Sequence, residues 1–154
     1  QSLNLLEDPS EDEVRLLSAI KYQPNQAILH SDPVVMPKRK KCWSSWVYAS
    51  DQADSANPVG VSYWMNRLQS IPEAENFFQS LNPTREIKQE LIHDQNMFMH
   101  PVFDRAALSA QQEIKKIQGH NNTWFCGAWL RNGFHEDGYS SAVDVLENMG
   151  VMAG

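Results

Sequence analysis

The pattern of apolar and polar residues predicts a short helix near the start of the chain. Ser10 and Glu13 have the spacing of a capping box, which satisfies backbone N–H groups at a helix start. We therefore expect a helix over about residues 10–20, which Pro24 ends. Its apolar stripe consists of Val14, Leu17 and Ile20.

The next part of the chain is rich in aromatic and β-branched residues, which favour strands. Five segments fit this pattern: residues 26–31, 41–49, 60–68, 77–81 and 90–99. Because no helix separates them, we expect an antiparallel meander. Bulky side chains on both faces suggest that one face packs on a core while the other lines a cavity or another domain. Four aromatic residues line a hydrophobic substrate channel or belong to the sheet core, and both interpretations stay open: Trp43, Trp46, Tyr63 and Trp64.

A helical pattern returns after the strands. Asp104 predicts a helix start and Gly119 its end. Residues 123–129 (TWFCGAW) predict a short, buried strand of the kind found in parallel sheets. A last helix is expected to begin near residues 136–138. The apolar positions of the two helices are Ala107, Ala110, Ile114 and Ile117, then Ala142, Val145, Leu146 and Met149, with Gly150 as the final cap. The predicted fold class is α+β, with an antiparallel or mixed sheet, flanking helices and a C-terminal strand–helix unit.

Composition narrows the class of protein. The chain has 154 residues and a net charge of −6, and no apolar run approaches the roughly 20 residues that span a bilayer. Its acidic first residues are unlike a signal peptide, so we expect a cytoplasmic location, with peripheral attachment to the inner membrane as the alternative. Because the chain begins with Gln1, we expect a processed or shortened product. Cys42 and Cys126 are expected to be buried free thiols.

One basic cluster interrupts the acidic composition. Lys38, Arg39, Lys40 and Lys41 follow one another directly. Such a run can contact nucleic acid or an anionic membrane, but nucleic-acid modules usually spread their cations over a whole face. We favour a solvated turn or edge that prevents strand-to-strand aggregation, and we expect no nucleic-acid partner.

The segment with the most chemical information runs from residue 124 to residue 142 (WFCGAWLRNGFHEDGYSSA). Backbone N–H groups at a helix start bind anionic or electron-rich oxygen atoms. Gly127, Gly133 and Gly138 would let a flat ligand approach the backbone closely. The spacing alone is a weak indication, since many loops contain three glycines.

This segment resembles the C-terminal flavin motif of the amine oxidase and phytoene desaturase superfamily. More closely, it resembles the bacterial branch of predicted NAD/FAD-binding amine oxidase-like proteins. The resemblance extends to motifs over nearly the whole chain: residues 22–25 (YQPN), 27–30 with Asp32, the Ser-Ser-Trp near residue 45, 62–66 (SYWMN), 81–83 (LNP) and 100–103 (HPVF).

The resemblance implies a discontinuous FAD-binding domain. Residues 1–21 would be a helical lead-in, residues 22–118 part of the substrate domain, and residues 119–154 the returning strand–turn–helix of the FAD domain. The GxGxxG motif that holds a dinucleotide does not occur in this sequence. The implied partner is therefore a missing N-terminal FAD-binding half, and the isolated chain is expected to be inactive with little affinity for FAD.

The resemblance also assigns the candidate cofactor residues. Gly127 would lie near the pyrophosphate and ribityl chain, and residues 133–138 would surround the isoalloxazine ring. Relatives often have an acidic residue just after the strand glycine, where this chain has Ala128 and Trp129, so only backbone contacts are expected there. The complete set is Gly127, Ala128, Trp129, Gly133, Phe134, His135, Glu136, Asp137 and Gly138. The implied substrate is a hydrophobic or lipid-like small molecule, while the catalytic residue is unassigned.

The sequence also bears on two other functions, metal binding and ligand binding without a cofactor. The five histidines show no metal-ligand spacing, and the contiguous His135, Glu136 and Asp137 would point in different directions, so no metal is expected. We expect His135 to start a helix or contact flavin rather than act as a base. The alternative function is a stand-alone α+β module that binds a hydrophobic ligand or partner without a cofactor. Exposed apolar surface around TWFCGAW would favour self-association or segment exchange.

Overall fold

The computed structural model describes residues 2–50, 59–72 and 74–151, and the chain has a mixed α+β fold. It forms two compact units. One consists of Gln1–Gln23 with His100–Gly154, and the other of Pro24–Met99. This division differs from the three predicted segments, because the helix after the sheet lies in the same unit as both ends of the chain.

The sheet is antiparallel and five-stranded, in the order β2-β3-β4-β1-β5. The predicted meander holds for β2, β3 and β4, but β1 lies between β4 and β5. The segment 60–68 was too long a prediction, because its second half is a helix. The strands are β1 (Tyr22–His30), β2 (Trp46–Ala49), β3 (Gly60–Trp64), β4 (Phe78–Leu81) and β5 (Ile92–Pro101).

Four α-helices are present in the described part of the chain. They are α1 (Glu11–Ser18), α2 (Met65–Gln69), α3 (Arg105–Ile114) and α4 (His135–Asn148). The capping box of α1 is confirmed: the Ser10 backbone N–H donates to Glu13 Oε2 at 2.8 Å, and the Glu13 N–H donates to Ser10 Oγ at 3.3 Å. The helix ends at Ser18, so Pro24 lies inside β1 rather than ending the helix.

The core of the helical unit forms between α1 and α3, and the predicted stripe of α3 is confirmed. The stripe of α1 is shifted, because Val14 is 42% exposed while Leu16 is buried. The buried apolar residues of this core are Leu16, Leu17, Ile20, Ala107, Ala110, Ile114, Ile117 and Phe125.

The sheet unit buries one face of the sheet. Registers pair Val47 with Ser62 and Ser62 with Ser80, so these residues share that face. The core on this side consists of Ile28, Val35, Met36, Trp64, Phe78 and Ile87, with Trp43, Val47 and Ile92 packed against it. One face of the sheet therefore packs on a core, as the side-chain pattern predicted.

Two predictions about residues 123–129 are wrong. The segment forms no strand: residues 123–127 are irregular, and Ala128–Leu130 is a 3-10 helix. A strand needs a hydrogen-bonding neighbour, and all five strands of the sheet lie elsewhere in the chain. Cys126 and Cys42 are free, as expected, but both are exposed rather than buried. Cys42 lies in a 3-10 turn instead of a strand.

Among the described residues, no helix is long and apolar enough to cross a membrane.

Candidate functional site

The candidate cofactor segment ends in the first turn of α4. Phe134 is the N-cap, in an extended conformation, and its N–H donates to Asp137 Oδ2 at 3.0 Å. The first backbone hydrogen bond of the helix runs from Gly138 N–H to the Phe134 carbonyl. The amides of His135, Glu136 and Asp137 therefore have no partner within the helix. His135 and Glu136 are exposed, so this end of the helix dipole faces solvent.

The two positive-φ glycines of the segment have intramolecular neighbours. At Gly127 (φ +144°), an added Cβ would lie 2.6 Å from Trp129 Nε1. At Gly133 (φ +94°), it would lie 3.1 Å from the Phe103 ring. The space that a side chain would fill is thus occupied by the protein's own aromatic rings at both positions.

Gly138 has a different role. It lies in the first turns of α4, where an added Cβ would be in ordinary contact with the Ala128 backbone, 3.5 Å from its nitrogen. An alanine would therefore fit at this position, where α4 packs on the 3-10 helix Ala128–Leu130. Packing explains Gly127 and Gly133, and the open helix start is the part of the segment that remains available to a ligand.

Two glutamines of α3 and the turn after it hold the segment in place. The Gln118 side chain donates to the Phe125 carbonyl at 2.7 Å and accepts from the Phe125 N–H at 2.8 Å. Gln111 Nε2 donates to the carbonyls of Trp129 and Arg131, both at 2.8 Å. The sequence patterns above did not predict these hydrogen-bonding roles of the two glutamines. The available indication was their spacing of seven residues beside the apolar stripe of α3, which places them on its buried side.

Ser141 connects the same segment to α4. It is the one buried residue among the 14 of that helix. Its Oγ accepts from the Gly127 N–H at 2.8 Å and donates to the Gly138 carbonyl at 2.8 Å. The candidate residues Gly127 and Gly138 are therefore brought together through one buried hydroxyl.

The predicted apolar stripe of α4 is not covered within the described part of the chain. Ala142 and Val145 are half-buried, while Leu146 is 37% and Met149 is 49% exposed. An open groove of about 730 Å³ runs between α3 and α4, bordered by Leu108, Val145 and the Arg131–Asp144 ion pair. An amphipathic helix in a finished domain normally buries such a stripe.

Three of the four candidate substrate-lining residues lie in strands, on opposite faces of the sheet. Trp46 and Tyr63 are cross-strand partners on the outer face, with ring centroids 5.3 Å apart in a T-shaped arrangement. Trp64 is buried on the core face, where its ring lies 5.2 Å from that of Trp43. The other apolar residues of the outer face are Ala27, Leu29, Tyr48, Val61 and Leu81. Partial burial, and secondarily Tyr48, raises the pKa of Tyr63.

A chain of buried polar groups crosses the core face. His30 Nδ1 accepts from the Asp32 backbone N–H at 3.2 Å, so its Nε2 carries the proton and donates to Ser80 Oγ at 2.9 Å. Ser80 Oγ lies 2.7 Å from Ser62 Oγ. His30 is fully buried, and this desolvation lowers its pKa, against the smaller opposing effect of the Asp32 carboxylate.

Several polar residues of the resemblance motifs have structural partners. Asn82 Nδ2 donates to Asn25 Oδ1 at 2.9 Å, which joins the YQPN and LNP motifs. Asn66 binds the loop before β4, because its Nδ2 donates to the Glu75 carbonyl and its Oδ1 accepts from the Phe77 N–H. Asn25 and Asn66 are both buried. These motif residues stabilise loops and strand ends of the sheet unit.

No group of three or more His, Cys, Asp or Glu side chains suited to a metal ion occurs among the described residues. Neither a protein-family model nor a curated protein matches this sequence. The interpretation of the candidate site therefore depends on the sequence motif and on the geometry described above.

Proposed function

We propose that this chain forms the isoalloxazine-contacting wall of an FAD-dependent oxidoreductase of the amine oxidase and desaturase type. The observation that supports this most is the exposed first turn of α4, which lies within the flavin-like segment. Three backbone N–H groups there have no partner within the helix, and the helix dipole adds positive potential. FAD, when bound, would supply the hydride-accepting chemistry, while the chain supplies hydrogen-bond donors and an apolar wall.

The part of the segment that is open to a flavin is the start of α4. The positions that a side chain would occupy at Gly127 and Gly133 are filled by Trp129 and Phe103, so these glycines are explained by packing. By contrast, His135 and Glu136 are exposed, and their amides can donate to a carbonyl or pyrimidine edge. The function proposed for residues 133–138 is thus electrostatic stabilisation by backbone dipoles, and no side chain is assigned as a base.

The exposed apolar stripe of α4 supports the proposal that another domain packs on this helix. A helix of 14 residues with one buried side chain contributes little packing energy to its own unit. A complementary layer covering Leu146 and Met149 would remove their exposed surface from water. We propose that the dinucleotide-binding half of the parent protein supplies this layer, so FAD affinity and activity belong to the parent.

The outer face of the sheet supplies the proposed substrate wall. Trp46 and Tyr63 form an edge-to-face aromatic pair, with Leu29 and Leu81 on the same face. Such a surface favours an apolar substrate and offers it the hydroxyls of Tyr63 and Tyr48. Trp64 is buried on the core face, and we assign it a packing role.

The proposal is tested by expressing the encoding gene from its natural start and recording the visible spectrum of the purified product. We expect bound flavin and a GxGxxG segment upstream of residue 1. The 154-residue chain alone should bind FAD weakly. Tight binding that quenches FAD fluorescence would contradict the proposal that FAD affinity belongs to the parent protein. A flavin-free product of the natural gene would contradict the proposal itself.

The alternative is a stand-alone module that binds a hydrophobic ligand or partner without a cofactor. The outer sheet face favours it, because Trp46 and Tyr48 are 42% and 65% exposed. A start codon immediately before Gln1, together with ligand binding that is independent of flavin, would favour this module over the oxidoreductase.

A further inference from the structure

The basic cluster of the sheet unit borders an apolar groove. Lys38, Arg39, Lys40 and Lys41 are all exposed, in a chain whose net charge is −6. The groove beside them measures about 930 Å³. Its lining includes Lys38 of the cluster, the cations Arg85 and Lys88, and the acidic Asp32 and Glu86. The apolar part of the lining consists of Pro33, Val34, Met36, Pro37 and Trp43. We call this combination of cations and apolar lining the basic groove.

The turn that carries the basic cluster has a defined structure. The Cys42 N–H donates to the Arg39 carbonyl at 2.8 Å, and Trp43 Nε1 donates to the Pro37 carbonyl at 2.8 Å. Lys40 Nζ lies 5.8 Å from the Trp43 ring centroid, within the range of a cation–π contact. The backbone of the turn is therefore fixed, and its charges are presented together.

Three of the four cations are available to an external anion. Among the ion pairs of the described residues, none involves Lys38, Arg39 or Lys41. Val34 lies on the same groove and is 37% exposed. Cations beside a partly exposed apolar side chain match the boundary of a bilayer, where phosphate groups lie next to acyl chains.

We propose that the basic groove docks this protein on an anionic lipid bilayer. Lys38, Arg39 and Lys41 would contact lipid phosphates, while Val34 would enter the apolar boundary. A nucleic-acid duplex fits less well, because it would leave the apolar lining beside the cations without a partner. This docking is independent of flavin binding and would hold a hydrophobic substrate source near the protein.

The test is co-sedimentation of the 154-residue chain with vesicles of phosphatidylglycerol and phosphatidylcholine, compared with phosphatidylcholine alone. Binding should require the anionic lipid and should fall when salt is raised from about 0.1 M to about 1 M, because the Debye length shrinks from about 10 Å to about 3 Å. Each cation is expected to contribute about fivefold to partitioning. The triple variant Lys38→Ala, Arg39→Ala, Lys41→Ala should therefore lose on the order of a hundredfold.

A matched control removes three exposed cations from the other unit: Arg105→Ala, Lys115→Ala and Lys116→Ala. It changes the net charge equally, so it should reduce binding much less if the basic groove is the docking site. Lys40 is retained in both variants because it contacts Trp43, and thermal unfolding checks that each variant folds. Equal losses in the two triple variants, no binding to anionic vesicles, or full competition by duplex DNA would each overturn the proposal.

Discussion

The side chain of Gln118 pairs with both backbone groups of Phe125, at 2.7 Å and 2.8 Å. This arrangement replaces the ladder that a neighbouring strand would provide, since one side-chain amide offers a donor and an acceptor to the same residue. Phe125 is 6% exposed and belongs to the helical core, so its backbone groups need these partners. The pairing explains how an irregular segment crosses a buried position.

Replacing Gln118 should destabilise the protein more than its place in the turn after α3 suggests. Gln118→Ala leaves the N–H and carbonyl of Phe125 without partners, which should lower the free energy of unfolding by about 2–4 kcal/mol. Urea denaturation measures this change. The control is Gln112→Ala, an exposed glutamine of α3, which should change stability by less than about 0.5 kcal/mol. Equal effects of the two variants would contradict the pairing.

The buried His30 should make stability depend on pH. Burial lowers its pKa below the ordinary value of 6.5, so the unfolded chain binds the proton more readily than the folded chain. The contribution of His30 is therefore complete above about pH 6.5 and is lost as the pH falls towards the lower pKa of the folded state. Unfolding free energies measured from about pH 8 to about pH 5 should show this decline.

The variant His30→Gln isolates this effect from other titrating groups. It should unfold more easily at neutral pH, because the bond to Ser80 is altered, but its stability should decline less between neutral and mildly acidic pH. His120→Gln changes an exposed histidine and should keep the wild-type slope. If wild type and His30→Gln show parallel pH profiles, His30 is not the titrating group.

The glycine at 127 should be the least replaceable of the positive-φ glycines. In Gly127→Ala, the new Cβ would lie 2.6 Å from Trp129 Nε1, in a conformation that L residues rarely adopt. Strain and displacement of the indole should together cost about 2–4 kcal/mol. Gly150→Ala shares a positive φ but meets nothing within 4 Å, so about 1 kcal/mol is expected. Thermal denaturation of both variants distinguishes contact from backbone strain alone.

Trp46 should contribute to ligand binding more than to stability. Trp46→Ala removes a 42% exposed ring and its edge-to-face contact with Tyr63, at a cost of about 1 kcal/mol. Trp43→Ala, in the core, should cost about 3–5 kcal/mol. In a titration with an apolar fluorescent dye, Trp46→Ala should weaken binding, whereas Leu146→Ala on α4 tests the other apolar surface. A dye affinity that depends only on Leu146 would argue against a ligand-binding sheet face.

Sequence patterns predicted the elements that local chemistry determines. The capping box at Ser10, the N-cap at Asp104 and the buried stripe of α3 are set by neighbouring residues and were correct. The strand at 123–129 was wrong, because apolar composition cannot show whether a pairing partner exists. The Gln118 side chain fills that role from outside the segment. β1 was recognised as a strand, but its place between β4 and β5 depends on pairing across about 50 residues of chain.

In the candidate site, too, the locally determined features were predictable from the sequence and the long-range contacts were not. The helix start near residue 136 was predicted from its glycines and acidic residues, and the structure begins α4 at His135. The neighbours of the glycines could not be predicted, since Phe103 reaches Gly133 from 30 positions away in the sequence. The alternating pattern of β3 likewise could not show which of Tyr63 and Trp64 faces the core. The structure places Trp64 on the core face, beside Phe78 of β4.

The most direct test of the flavin assignment removes one backbone donor from the first turn of α4. Phe134 already has φ −90° and ψ 164°, a conformation suited to the residue before proline, so His135→Pro should preserve the helix. If the parent protein binds flavin as proposed, loss of one N–H at the proposed position of the reduced ring should make the midpoint potential about 30 mV more negative. His135→Ala keeps the N–H and should leave the potential unchanged. Equal potentials in the two variants, with wild-type helix content, would contradict the account.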